Sequence, residues 1–300
     1  MAVAQGAAQP EPLVISRDSL RVVFWPGDEA IARRAWTTAV NPPPLFGLPP
    51  AASRITGTIF LAPDAATFDS LTGGAPEWSA GVAIPSLRRI IIPAYQSDRT
   101  PLGDPIGALR HEIAHLALNA YLPGRIPRWF DEGYATWASG GWDANSGWQI
   151  RYALLRGQAP PLDSLTLDWP RLAGRAQLAY LLSASAVRHL ATRGSGEQAF
   201  AAFLLAWRRE GAFDPALRST YQITAGHFED DWRDMVSDRY GWLLALSQAG
   251  VFWLVITMLF VLLGTARRRY NRARLEDLRA EDRILAPPRP DEVDGRGGDV

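Results

Sequence analysis

The pentad His111-Glu112-Ile113-Ala114-His115 constrains this chain more than any other feature. On an α-helix, positions i and i+4 share a face with Cβ atoms about 5–6 Å apart, so both imidazoles reach a single tetrahedral ion. Zinc takes nitrogen ligands at about 2.0–2.1 Å and, in a catalytic site, keeps one position open for water. Glu112 stands about 100° around the helix from His111, where it faces that water rather than the metal. The expected roles are two ligands and one general base. Leu109, Ile113 and Leu116 fall at about 140–200° on the same wheel, so the helix is expected to bury that stripe and offer its histidine face.

A third ligand must come from elsewhere. Two positions remove the metzincin pattern: a Gly three residues after His115 and a His six after it are replaced by Leu118 and Tyr121. The next acidic residues, Asp131 and Glu132, lie in the run Pro127-Arg128-Trp129-Phe130-Asp131-Glu132-Gly133-Tyr134-Ala135. Pro123-Gly124 supplies a turn, and Pro127 suits the first turn of a second helix, where its missing N–H costs nothing. Gly133 costs that helix about 1 kcal/mol in propensity, which close approach of the two helix backbones explains. A carboxylate of this second helix then reaches the metal.

With both elements present, the chain resembles the gluzincins, the thermolysin and aminopeptidase N type of metallopeptidase, and most closely the bacterial peptidase MA-like domains. That resemblance rests on the His-Glu-x-x-His pentad and on Trp129-Phe130-Asp131-Glu132-Gly133-Tyr134-Ala135, which matches a Trp-x-x-Glu-Gly-x-Ala pattern. It implies that Glu132, rather than Asp131, is the third zinc ligand. It also implies an edge strand just before the metal helix that holds substrate by β-augmentation, and a Tyr downstream that stabilises the oxyanion.

Leu20 to Trp25 reads as a strand ending at Pro26-Gly27, followed by a helix from about Asp28 to Val40 and a Pro-rich loop over Asn41–Ala52. Ile55–Leu61 reads as a strand and Asp64–Leu71 as a short helix with Asp64 near its cap. Gly81–Ile84 and Arg89–Ile92 read as two further strands, either of which can be the substrate-binding one. From Gly147 to Tyr240 the pattern is helical, with breaks at 157–161, 194–196 and 211–215. The expected class is therefore α+β: a small N-terminal mixed sheet with helices, then a mostly helical half carrying the zinc site, then one C-terminal transmembrane helix.

Within the helix expected over Arg175–Arg193, Tyr180 matches the position that the resemblance gives to an oxyanion-stabilising Tyr. It lies on an Ala-rich face with Ala176, Ala184 and Ala191, which permits close approach to another element. His189 is half a turn away, so the two cannot both face the metal, and its place beside Leu178 and Leu182 marks a packed histidine. His227, near a helix start after Thr224, reads as a surface residue. Asn119 and Thr136 are the expected partners of the ligands.

Leu243–Ala266 runs 24 residues without a charge, about 36 Å as a helix and enough for a bilayer core of about 30 Å. Arg267, Arg268, Arg269, Arg272 and Arg274 follow it, so the positive-inside rule puts the C-terminus in the cytoplasm and residues 11–240 outside. Export needs a signal, and Ala2-Val3-Ala4 resembles the small-residue end of one; residues 1–10 are expected to be its remnant. Residues 267–300 turn Pro-, Asp- and Gly-rich toward the end and read as a solvated tail.

There are no cysteines, so the metal must use His and carboxylate ligands. The 31 Arg and Lys residues are all Arg and are balanced by 31 acidic ones, which gives no bulk electrostatic footprint for nucleic acid. The all-Arg usage reads as codon bias of a GC-rich bacterial genome rather than as function. The expected function is a membrane-anchored zinc peptidase with one Zn²⁺, Glu112 and Tyr180 as catalytic residues, His111, His115 and Glu132 as ligands, and a peptide or protein as substrate. The competing class is a membrane-tethered binding or sensor protein on the same fold without turnover, and nothing but chemistry requires Glu112 beside an open metal position.

Overall fold

Leu20, Val22 and Phe24 alternate inward along β2 (Leu20–Phe24), and the same period of two recurs in β5 (Arg89–Pro93), where Ile90 and Ile92 join one core and Ile91 another. Those side chains set the two faces of a five-stranded sheet of order β1-β2-β3-β5-β4. The computed structural model describes residues 10–75, 79–95, 104–141, 147, 149–150, 160–170 and 172–285. β2, β3 (Gly57–Ala62) and β5 are parallel neighbours, with Ile59 opposite Ile90. β1 (Leu13–Arg17) and β4 (Val82–Ile84) close the two edges in antiparallel sense.

Helix α1 (Glu29–Val40) links β2 to β3 and buries Ala32, Ala35 and Ala39. Asp64 caps α2 (Ala65–Thr72) by accepting from the Thr67 N–H at 2.7 Å, and Phe68 fills the small core on the opposite sheet face. A 3-10 turn, Pro85–Leu87, joins β4 to β5.

β1 went unanticipated in the sequence. Leu13 and Val14 are both exposed and only Ile15 is half-buried, so no in-out alternation announces the strand. It forms because the turn at Asp18, with φ 55°, folds it back on β2.

The helix that carries His111 and His115, α3 (Pro105–Tyr121), is capped by Asp104, which accepts from the Ile106 N–H. It differs from the expected amphipathic helix with one open face. Leu109 and Ile113 pack into the sheet core, while Ala114, Ala117 and Leu118 pack into a second, larger core. Buried on both sides, α3 is the shared wall between the sheet and the helical half.

That half contains α4 (Arg128–Ala138), α5 (Leu162–Leu167), α6 (Ala173–Ala191), α7 (Glu197–Glu210), α8 (Phe213–Tyr221) and the start of α9 (Ala225–Leu285). Its core is aromatic: Phe130, Phe200, Phe203 and Trp207 are fully buried, and Phe130 meets the Trp207 ring edge-on at 5.1 Å. Large buried side chains of this kind contribute about 1.5–3 kcal/mol each. Pro127 sits one place earlier than expected, as the N-cap of α4.

Gly133 does permit a close backbone approach, but to α6 rather than α3. A Cβ at Gly133 would overlap the Ser183 carbonyl and stand 3.0 Å from the Ala184 nitrogen. The contact is non-local, so the spacing along the chain did not reveal its partner.

The chain divides into two units at Tyr240. In the second, the segment Gly250–Glu276 of α9 contains a run long and apolar enough to cross a membrane, with none of that run buried. The expected signal remnant at 1–10 and the end of the tail beyond Leu285 lie outside the described residues, save Pro10, as does most of the expected break at 157–161.

Candidate metal centre

Two helices bring three ligand atoms together. From α3, the Nε2 atoms of His111 and His115 are 3.0 Å apart. From α4, Glu132 places Oε2 at 3.5 Å from the first and 3.4 Å from the second. Ligands at tetrahedral angles and zinc bond lengths of about 2.0–2.1 Å are separated by about 3.3 Å, so the three distances are those of one face of a zinc tetrahedron. His111, His115 and Glu132 are a group that can hold a metal ion, and they are the three ligands expected from the sequence.

The electrostatics fit a cation. Burial disfavours a charged His115, yet the carboxylates of Asp131 and Glu132 beside it raise its pKa well above the ordinary value. Burial likewise works against the Glu132 carboxylate, but hydrogen bonds from His111 and His115 hold its pKa far below the usual range. A proton shared among these groups supplies the positive charge that a metal ion would supply. With three carboxylates at the site, Glu112, Asp131 and Glu132, a dication suits the charge balance.

Asp131 is the residue whose role sequence reasoning missed. Its Oδ1 accepts from His115 Nδ1 at 2.8 Å, which turns Nε2 of that ring toward Glu132 and His111. A carboxylate on the far nitrogen of a ligand histidine fixes its tautomer and orientation. In the sequence Asp131 reads only as a rival ligand to Glu132; adjacent residues project in different directions, and here both carboxylates reach His115. Asn119 donates to the His115 carbonyl at 2.9 Å and lies 3.4 Å from Asp131 Oδ1, so it does support the ligand helix. Thr136 does not: its buried hydroxyl makes no hydrogen bond among the described residues and instead lines the adjoining cavity. Arg128 approaches Glu132 Oε1 at 3.5 Å and stacks on Trp169 at 4.9 Å.

Glu112 shares the wall of that cavity with His111, Tyr180 and Gly81. It is only 6 % exposed, and burial raises its pKa against the opposing pull of His115 and His111. The backbone of Ala83 in β4 adds a smaller opposing pull. Gly81, just before β4, is what allows the strand to lie so close: a Cβ there would stand 2.7 Å from Ile92 Cδ1 and 3.0 Å from Glu112 Cγ.

Tyr180, from α6, sets its ring 6.0 Å from that of His111 and edge-on to Trp169 at 5.1 Å. Burial, with the Glu132 and Glu112 carboxylates, pushes its phenol well above the ordinary pKa, so it remains a neutral O–H donor. His189 lies elsewhere, its ring 6.0 Å from Phe228. Burial and Arg193 lower its pKa, as befits a packed histidine. His227 is exposed, 3.6 Å from Asp231.

A family model for the peptidase MA superfamily matches residues 58–238, a run from β3 to the first turns of α9. No curated protein matches the chain significantly. The match spans more than half of the 300 residues, and the chain belongs to the peptidase MA superfamily.

Proposed function

We propose that this member of the peptidase MA superfamily is a gluzincin-type zinc peptidase that cleaves peptide bonds at the membrane surface. The observation that carries the reading is the triangle of His111, His115 and Glu132 ligand atoms at 3.0, 3.4 and 3.5 Å, with an unligated carboxylate, Glu112, on the adjoining cavity.

His111, His115 and Glu132 would hold the zinc ion, which when bound would supply the Lewis acidity that activates a water and polarises the substrate carbonyl. Glu112 accepts the proton of the attacking water and returns it to the leaving amine. The Tyr180 hydroxyl donates to the carbonyl oxygen as negative charge develops there. Asp131 holds His115 in register throughout.

β4 is the substrate strand in this reading. β5 is paired on both sides, by β3 and β4, whereas β4 has one edge without a strand partner among the described residues and lies beside Glu112. That edge offers N–H and C=O groups to an extended peptide. In the same reading the apolar segment of α9 is the anchor, and the arginines from Arg267 to Arg274 support a cytoplasmic C-terminus with the peptidase domain outside.

The test is metal analysis coupled to peptide-library cleavage by the full-length protein in detergent. One zinc per chain and cleavage are expected. Glu112→Gln should keep zinc and lose turnover, and Tyr180→Phe should lower kcat about 100-fold with KM little changed. Turnover retained in Glu112→Gln refutes the base; protein that binds no zinc refutes the centre.

A further inference from the structure

A second cavity, of about 380 Å³, lies farther along α3, between that helix, the segment before β3 and the 3-10 turn after β4, lined by Arg54, Thr56, Pro85, Arg88, Leu116 and Asn119. Leu116 and Asn119 fall within about 40° of Glu112 around the helix, so the face that presents the carboxylate continues into this cavity about 6–10 Å away. On the other wall, Gly81 borders the first cavity and Pro85 the second, four residues of extended chain or about 13 Å apart. α3 packs along both β4 and the 3-10 turn, so the two cavities lie along the same seam of α3.

The polar character of the far cavity is cationic. Arg54 and Arg88 both line it, and neither forms an ion pair with a carboxylate among the described residues. Arg88 donates from Nη1 to Thr56 Oγ1 at 3.3 Å, which holds its guanidinium at the rim. Its backbone is committed too, at φ 49° and with its carbonyl against Gly57. In a chain with equal numbers of acidic and basic residues, two such unneutralised cations on one cavity suit an anionic partner.

We infer that Arg54 and Arg88 form an acidic-side-chain subsite that selects substrates with Asp or Glu three to four residues N-terminal to the cleaved bond. Antiparallel pairing is slightly the more stable per residue, so a peptide on β4 runs with its N-terminal side toward Pro85. With its cleaved bond over Glu112, a residue three to four positions upstream reaches the two guanidinium groups. This subsite presupposes the peptidase reading of the metal centre.

Its test uses zinc-loaded full-length protein in detergent and paired peptides built on a cleaved library sequence, one with Glu and one with Gln at the third or fourth upstream position. The Glu peptide is expected to have about fivefold higher kcat/KM, a preference that shrinks with added salt. Arg54→Gln combined with Arg88→Gln should bring the ratio to about one, and Arg88→Glu should shift it toward a Lys peptide. Both peptides are measured on one preparation, so partial misfolding cancels from the ratio. A ratio of one in the unaltered protein, with both peptides cut, overturns the subsite and leaves the peptidase reading standing. If no peptide is cut, the peptidase reading fails instead, and fluorescence anisotropy of a designed Glu/Gln pair on the Glu112→Gln protein decides the subsite. Equal affinities overturn it, and a Glu preference abolished by the Arg54→Gln and Arg88→Gln changes supports it.

Discussion

His115 Nδ1 and Asp131 Oδ1 stand 2.8 Å apart, tying the metal helix α3 to α4 by a bond that involves no metal. It sets the direction of the imidazole that faces Glu132. Replacing Asp131 with Ala is expected to weaken zinc binding about 10- to 100-fold, read by competition with a chelator of known affinity. Asp131→Asn keeps an acceptor oxygen and should lose less; equal affinity in all three proteins would remove Asp131 from the centre.

Gly81 makes room for Glu112 beneath the strand. In Gly81→Ala the new methyl meets Ile92 Cδ1 and Glu112 Cγ, so the carboxylate must shift by a few tenths of an ångström or more. Displacements of about 1 Å at a catalytic group cost up to about 100-fold in rate. The expected result is a kcat reduced about 10- to 100-fold with zinc content and melting temperature close to those of the parent; an unchanged kcat would show that the strand yields instead.

At Gly133 two physical effects have opposite signs, and stability decides between them. Helix propensity alone predicts that Gly133→Ala stabilises by about 1 kcal/mol. The overlap with the Ser183 carbonyl and the Ala184 nitrogen, both backbone, cannot be relieved by a rotamer change and predicts a net loss of about 1–3 kcal/mol. Chemical denaturation in the presence of zinc measures the sign. A stabilised variant would contradict the tight α4–α6 contact.

Without metal, the centre should make stability depend on pH. His115 has a raised folded pKa, so its contribution is fully present below its unfolded value of about 6.5 and is lost as pH rises toward the folded value. Glu132 has a depressed one, so its contribution is present above its unfolded value of about 4.3 and is lost as pH falls toward the folded value. Glu112, with a raised pKa, further penalises the folded state as it ionises. Chelator-treated protein should therefore be most stable at about pH 4.5–6.5 and lose stability above that window. Melting temperatures from pH 5 to 9 test this, and a curve that rises toward pH 9 would be incompatible with it.

Local chemistry was legible at the positions that carry it alone. The four-residue spacing of His111 and His115 holds on any helix, and Glu132 one helix later completes the triangle found at 3.0–3.5 Å. The Ala-rich face of α6 brought Tyr180 to His111 and left His189 against Phe228. β1 escaped because an exposed edge strand has no apolar alternation to show.

What the amino-acid order determined by itself was most of the helices, the shared face of His111 and His115 and the apolar segment of α9, since these depend on neighbours a few residues apart; the break between α5 and α6 was not among them. Only the tertiary structure decided that β4 is the edge above Glu112, that Asp131 holds His115, that Gly133 meets Ser183 and that Arg54 and Arg88 share a cavity. Each of those facts joins residues from separate elements, and no spacing along one helix or strand encodes which distant backbone will close against it.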